Sequence, residues 1–243
     1  MKIVGFMMLT FVLFLPSVFA SEIRFDTHTF MPSLQMNLEN NLYDKVPSLD
    51  LKKTLDIQDI STQETKLYFN DSFRVSYLNF EYEGKKPLLL SKAGDLTLNS
   101  DLGLKYWSMG WFAPLKQTEE FRADLLIDVK SYKVNGQLGT FFADQEILST
   151  EKTSFSGVAP TIGIALAGNV DENLELYGEV SGLPMGSYGA LWEFDAGIKY
   201  KVKDRAFMQV GYKSFDLTTS NQLLATTLKT KINGPYFGIN FSI

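Results

Sequence analysis

The chain carries one histidine, His28, in the run Phe25-Asp26-Thr27-His28-Thr29-Phe30. Side chains alternate between the two faces of an extended strand, so Asp26 and His28 would share a face and could form the carboxylate–imidazole pair that orients a general base. A hydrolase or acyl-transfer enzyme also needs a nucleophile beside that base, and no nucleophile motif accompanies the pair. Two ordinary strand residues in a wall is the favoured reading, and no catalytic residue is assigned. Paired carboxylates can be drawn at Glu175 with Glu179 and at Glu193 with Asp195. Around them stand Arg74, Lys105, Arg122, Asp124, Asp128, Lys130, Lys199, Lys201, Lys213, Lys229 and Lys231, which would mostly point into the lumen of a barrel. Charges of both signs turned into a narrow interior need partners, so a salt-bridged filling is preferred to acid–base work; the same charges lining a narrow ion path are the rival.

Other chemistries fall away. There is no cysteine, which removes disulfides, thiolate metal sites, cysteine nucleophiles and a lipidated cysteine. Asp44, Asp50, Asp56 and Asp59 lack the spacing of a calcium loop and read as a solvated loop face. Gly182, Gly186 and Gly189 flank a tight loop, with no helix or Lys-Ser/Thr after them to cradle a phosphate. The expectation is therefore no metal, no cofactor and no enzymatic activity. A net charge of −5 also argues against nucleic acid.

The elements that must position these residues are strands. From Ala190 to Val202, Ala190, Trp192, Phe194, Ala196, Ile198, Tyr200 and Val202 alternate with Leu191, Glu193, Asp195, Gly197, Lys199 and Lys201, the period-two signature of a sheet with one apolar and one charged face. Phe121 to Lys130 repeats it, and Leu174 to Ser181, Val158 to Leu166 and Tyr236 to Ile243 follow the same rule. Short polar turns are expected at Asn70-Asp71-Ser72, Lys116 to Glu120, Asp171-Glu172-Asn173 and Lys203-Asp204-Arg205. Longer connections are expected near Glu83 to Gly94, Asn135 to Ser156, Gly182 to Tyr188 and Thr218 to Ala225. Short turns at one end and long loops at the other mark a transmembrane barrel. The count is a closed antiparallel transmembrane β-barrel of about ten strands, with eight as the alternative. Residues 37–62 are expected to form a structured first loop at the mouth, a plug inside the lumen being the second use, with a short helix after Ser48.

Residues 1–20 read as an export signal, with Lys2, the apolar run Ile3 to Leu15, and Val18-Phe19-Ala20 before a cut at Ser21; residues 21–243 are then the barrel domain. Nothing later approaches the roughly 18 consecutive apolar residues of a spanning helix. A soluble periplasmic sandwich or lipocalin-like barrel would share the alternation but turn its apolar face inward. The export signal, strand lengths near those of tilted spanning strands, and rings at strand ends favour the membrane form. Those rings are Trp111, Phe112, Phe121, Trp192 and Tyr200, suited to two interfacial girdles.

A family resemblance rests on Asp50-Leu51-Lys52-Lys53 with Leu55, Glu179-Val180-Ser181-Gly182, Gly186-Ser187-Tyr188-Gly189, Asp195-Ala196-Gly197-Ile198-Lys199-Tyr200, Gly211-Tyr212, Asp216-Leu217 and Gly234-Pro235-Tyr236-Phe237-Gly238. In their order and spacing these resemble a family of uncharacterised Gram-negative outer-membrane β-barrel proteins of the small, single-barrel type, from Asp50 to Ile243. The resemblance implies an outer-membrane barrel and brings no activity with it. Such barrels end in an aromatic residue used in assembly, whereas here Phe241 stands two places before the end. The expected role is structural or loop-mediated binding, with a narrow, porin-like pore and an outer-membrane lipid-modifying enzyme as rivals. Expected partners are outer-membrane lipid, lipopolysaccharide and the assembly machinery that reads the C-terminal strand. The expected state is monomeric.

Overall fold

A computed structural model describes residues 22–40, 49–89, 96–142, 145–146, 151–184, 189–221 and 226–243. The export signal and Ser48 lie outside the described residues, as do parts of the long connections. In chain order the elements are β1 (Ile23–Phe30), β2 (Ser33–Asn40), β3 (Leu49–Asp50), α1 (Leu51–Leu55), β4 (Thr62–Phe69), β5 (Phe73–Leu89), β6 (Leu96–Gln117), β7 (Phe121–Phe142), β8 (Gln145–Glu146), β9 (Glu151–Asn169), β10 (Leu174–Pro184), β11 (Gly189–Lys203), β12 (Ala206–Asn221) and β13 (Thr226–Ser242).

The wall runs β1, β4, β5, β6, β7, β9, β10, β11, β12, β13 and closes where β13 pairs with β1, every contact antiparallel. The fold is thus a closed transmembrane β-barrel of ten strands, as the alternation predicts. β2 continues the line of β1 along β13: Arg24 to Phe30 face Ser242 to Tyr236, and Ser33 to Asn40 face Asn233 to Thr226. Between them Met31-Pro32 lies opposite Gly234-Pro235. Neither proline has an N–H for the ladder, and a side chain on Gly234 would strike the Met31 carbonyl.

The four predicted turns stand at one end of the wall. At the other end the strands outrun the sequence reading. β6 and β7 have 22 residues each and β9 has 19, against 11 in β10. About 9 to 11 residues suffice for a tilted spanning strand, so β10 just crosses, while β5, β6, β7 and β9 rise well past the bilayer. Stretches read as loop, such as Glu83 to Leu89 and Asn135 to Phe142, are strand because wall standing in water tolerates polar outward residues.

Outward and inward faces both change character along the strands. In β7, Ile127 and Val129 are exposed to lipid and Asp128 and Lys130 are buried inside; further on Ser131 and Lys133 face out and Tyr132 faces in. In β12, Val210 and Tyr212 face out over Gln209 and Lys213, and then Phe215 and Leu217 turn inward while Asp216 faces out. Lys105, Lys229 and Lys231 are accordingly on the outer face, not the lumen side expected of them. They follow the same alternation, but beyond the lipid belt the polar face is the outer one. Phe112 also departs from the girdle reading: it is buried and packs inward with Tyr68, ring centroids 6.2 Å apart.

Candidate functional site

At lipid level the lumen is filled by ion pairs drawn from strands all round the wall. Lys213 on β12 donates to Glu64 on β4 at 2.5 Å and to Glu193 on β11 at 2.8 Å. Lys130 on β7 donates to the second oxygen of Glu193 at 2.5 Å and to Ser181 Oγ at 2.6 Å, with Asp128 at 3.5 Å. Lys66 on β4 reaches Asp195 at 2.7 Å and Glu64 at 3.7 Å. Arg74 on β5 holds Glu179 at 2.5 Å and lies 3.7 Å from Asp128. Tyr106 donates to Glu193 at 2.6 Å, and Tyr236 donates to Asp195 at 2.5 Å. Glu64 and Glu193 are each shared by two lysines, so the chain of contacts crosses the lumen instead of running up one wall.

Local sequence explains the convergence. Alternation in β4 sends Glu64, Lys66 and Tyr68 inward, and the same parity turns His28 toward Glu64, its register partner. Small inward residues make room: a side chain on Gly238 would strike the His28 ring, and one on Gly110 would strike the Asp128 carboxylate. Nearer the short turns, Arg24 binds Asp71 at 2.5 Å and sits over the Tyr68 ring, and Arg122 binds Asp124 at 2.6 Å. Lys199 binds Glu175 at 2.5 Å.

The predicted carboxylate pairs are therefore dispersed among cations. Glu175, Glu179, Glu193 and Asp195 each accept from a Lys or Arg. Neighbouring strands do not simply oppose unlike charges: Glu179 is the register partner of Asp195, and Arg74 and Lys66 from β5 and β4 neutralise the two. The Asp26–His28 pair does not form. Asp26 lies 3.5 Å from Arg24, while His28 is fully buried, 3.5 Å from Glu64, and stacked on Tyr236 with ring centroids 4.8 Å apart. Sequence reasoning missed Glu64, Lys66, Tyr106 and Tyr236. The alternation Glu64-Lys66-Tyr68 was the available signal for the first two. Among the described residues no group of three or more His, Asp or Glu side chains is arranged to hold a metal ion, and no helix is long and apolar enough to cross a membrane.

At loop level the lumen is apolar. Phe30, Leu34, Leu78, Phe80, Tyr82, Leu104, Tyr106, Leu191, Phe215, Leu217 and Ile232 are buried there as one cluster. The first loop enters it: Ile57 is buried, and Leu51, Leu55 and Ile60 pack against the cluster. Backbone contacts hold the loop to the rim, with Ile57 bridging Gly84 and Gln58 N–H donating to the Glu83 carbonyl at 3.2 Å. Asp59 accepts from Leu34 N–H at 2.9 Å and from Lys52 at 2.5 Å. The helix α1 is capped by Asp50, whose carboxylate accepts from Lys53 N–H at 3.2 Å. That hydrogen bond holds Asp50 below the usual carboxylate range. The mouth loop and the plug, two alternatives in the sequence reading, are one element here.

The chain matches no protein-family sequence model, and no curated protein matches it. Solved structures do resemble it. The outer membrane protease OmpT from Escherichia coli aligns over 92% of this chain and 97% of its own, with TM-score 0.59 and 8% identity. Ail, the attachment invasion locus protein of Yersinia pestis, solved with the heparin analogue sucrose octasulfate, aligns over 92% and 100%, with TM-score 0.34 and 8% identity. Neisserial surface protein A aligns over 91% and 99%, with TM-score 0.32 and 9% identity. The likeness to the first shows the fold, a closed barrel of the outer-membrane kind.

Proposed function

We propose that the chain is an outer-membrane protein that neither conducts nor catalyses, and that it works as an anchored platform, presenting the wall and loops beyond the membrane for a structural or binding role. The observation that carries this reading is a lumen obstructed at two levels, by paired charges in the lipid zone and by an apolar packing with the first loop at the mouth. An ion path needs unpaired or hydrated groups along its length, whereas Glu64, Glu179, Glu193 and Asp195 each bind a cation directly and Asp128 lies 3.5 Å from Lys130. An acid–base site needs a carboxylate or imidazole free to reach substrate, whereas His28 is walled in by Glu64, Tyr236 and Gly238.

The remaining parts of the reading are residence in the outer membrane after export, contact with outer-membrane lipid and lipopolysaccharide, a monomeric state, and assembly through β13, on which Phe237, Ile239 and Phe241 face lipid. Reconstitution of the purified chain in planar bilayers tests it. The expected record is free of steady steps for the intact protein, and removal of residues 49–61 should still give none, because the charged layer remains. Nanosiemens openings in the intact chain would establish a pore instead. Turnover of phospholipid or lipid A analogues that disappears on His28→Ala would establish an enzyme.

A further inference from the structure

Just past the lipid belt, on the outer face of the tall wall, Lys105 of β6 stands directly opposite Lys133 of β7. Both are exposed. Directly opposed residues in an antiparallel pair have Cβ atoms about 4.5 to 5.5 Å apart, and like charges there destabilise the sheet. Two other outward lysines of this wall face carboxylates: Lys229 binds Glu39 at 2.8 Å, and Lys231 is the register partner of Asp216. Among the described residues neither the Lys105 nor the Lys133 side chain has a hydrogen-bond or ion-pair partner. Across from Lys105 on β5 stands Asn79, whose amide donates to Glu81 at 3.0 Å. Ser156 stands across from Lys133 on β9.

One rung toward the membrane lies Trp107, half exposed, its ring 4.4 Å from that of Tyr77. Below it follow the lipid-facing Met109, Val129 and Ile127. Two adjacent ammonium groups directly above an aromatic rung and an apolar strip match one shape of ligand: a phosphate carried on acyl chains, its anion between the lysines and its chains along the strip. The short turns and both ends of the wall lie at the opposite rim, so the lysine pair faces the outer leaflet. We infer that Lys105 and Lys133 form a binding site for the phosphate of a phosphorylated glycolipid of the lipid A type. The site rests on the proposed residence in the outer membrane and gives its lipopolysaccharide contact a place; it lies outside the lumen and does not depend on whether the barrel conducts.

Native mass spectrometry of the full chain, released from detergent micelles, tests the site with three probes: diphosphorylated lipid A, dephosphorylated lipid A and inorganic phosphate. The wild type is expected to retain the diphosphorylated lipid only. The double variant Lys105→Gln/Lys133→Gln should bind it about thirtyfold more weakly. The charge-matched control Lys229→Gln/Lys231→Gln should bind as wild type does. Equal weakening in both variants, equal retention of dephosphorylated lipid, or inorganic phosphate bound as well as the lipid would each overturn the assignment. A second readout needs no binding assay. In vesicles of phosphatidylcholine alone the double variant should resist urea better than the wild type, since repulsion is relieved, and added lipid A should close that gap. A gap that is absent, or unmoved by lipid A, sinks the proposal.

Discussion

In β7, Asp128 and Lys130 point inward while Ile127 and Val129 meet lipid; one rung on, Tyr132 points inward while Lys133 meets water. The lower stretch is built like an outer-membrane barrel and the upper stretch of the same strand like a soluble one. β5, β6, β12 and β13 repeat the change. The solvent, not the strand, decides which face carries the apolar residues, because the backbone keeps its period of two throughout. The two halves therefore hold together by different forces, paired charge below and hydrophobic packing above, and substitutions should separate them.

Lys213→Met should have the largest effect. It leaves Glu64 and Glu193 each without one of its buried cations, and breaking such a pair costs about 3–5 kcal/mol. Urea titration in phospholipid vesicles measures it. The double variant Glu64→Gln/Lys213→Met should cost less than the two single changes added together. Ile232→Ala comes next, at about 2–5 kcal/mol, because it opens a cavity in the loop-level core. Ile239→Ala, on the same strand but facing lipid, should cost clearly less, since acyl chains can close over the gap; equal losses would mean that the upper half is not a packed core.

Ile198→Arg places a charge on the lipid face and should cost about 2–4 kcal/mol. Ser154→Arg, facing out from the tall β9 wall, should stay within about 0.5 kcal/mol, and a reversed ranking would remove the boundary drawn here. The smallest effect concerns Asp50. Its carboxyl is held below its unfolded value by the Lys53 N–H, so its contribution to the loop is present above the unfolded pKa and is lost as pH falls through the lowered folded value. Hydrogen exchange of α1 should quicken in that acid range, and Asp50→Ala should quicken it at neutral pH, with β4 to β13 unchanged.

Much of this was legible in the sequence. Period-two alternation and the polar segments that interrupt it give the four short turns, the ten-strand count and the apolar sets of β7, β9, β10, β11 and β13; strand lengths and ring positions turn those sets toward lipid. The site was legible only as a composition. Alternation shows that Glu193 and Lys213 face inward, but not that they meet, because partners such as Glu64 and Lys213 stand on strands that are not neighbours and face each other across the lumen. Lys105, Lys229 and Lys231 were misplaced for a physical reason: a charged residue was assumed to avoid the outside everywhere, which holds only as far as the lipid extends. The short helix expected after Ser48 begins at Leu51, with Asp50 as its cap.

The interruption at Met31-Pro32 also bears on how the barrel forms. β1 and β13 lie at opposite ends of the sequence, so joining them is the contact of greatest separation and carries the largest loop-closure entropy of the wall. Two prolines and a glycine at the interruption divide that seam into two zippers, Arg24 to Phe30 and Ser33 to Asn40, that need not fasten together. The first fastens against lipid-facing strands and the second against wall that stands in water. Across the gap one backbone bond remains, Met31 N–H to the Pro235 carbonyl at 3.0 Å, so an insertion intermediate with its membrane seam shut and its outer seam open is the expected outcome. Returning one of the two missing N–H groups with Pro32→Val should shorten the interval between the two closures, read from fluorescent probes on each half of the seam during refolding into vesicles.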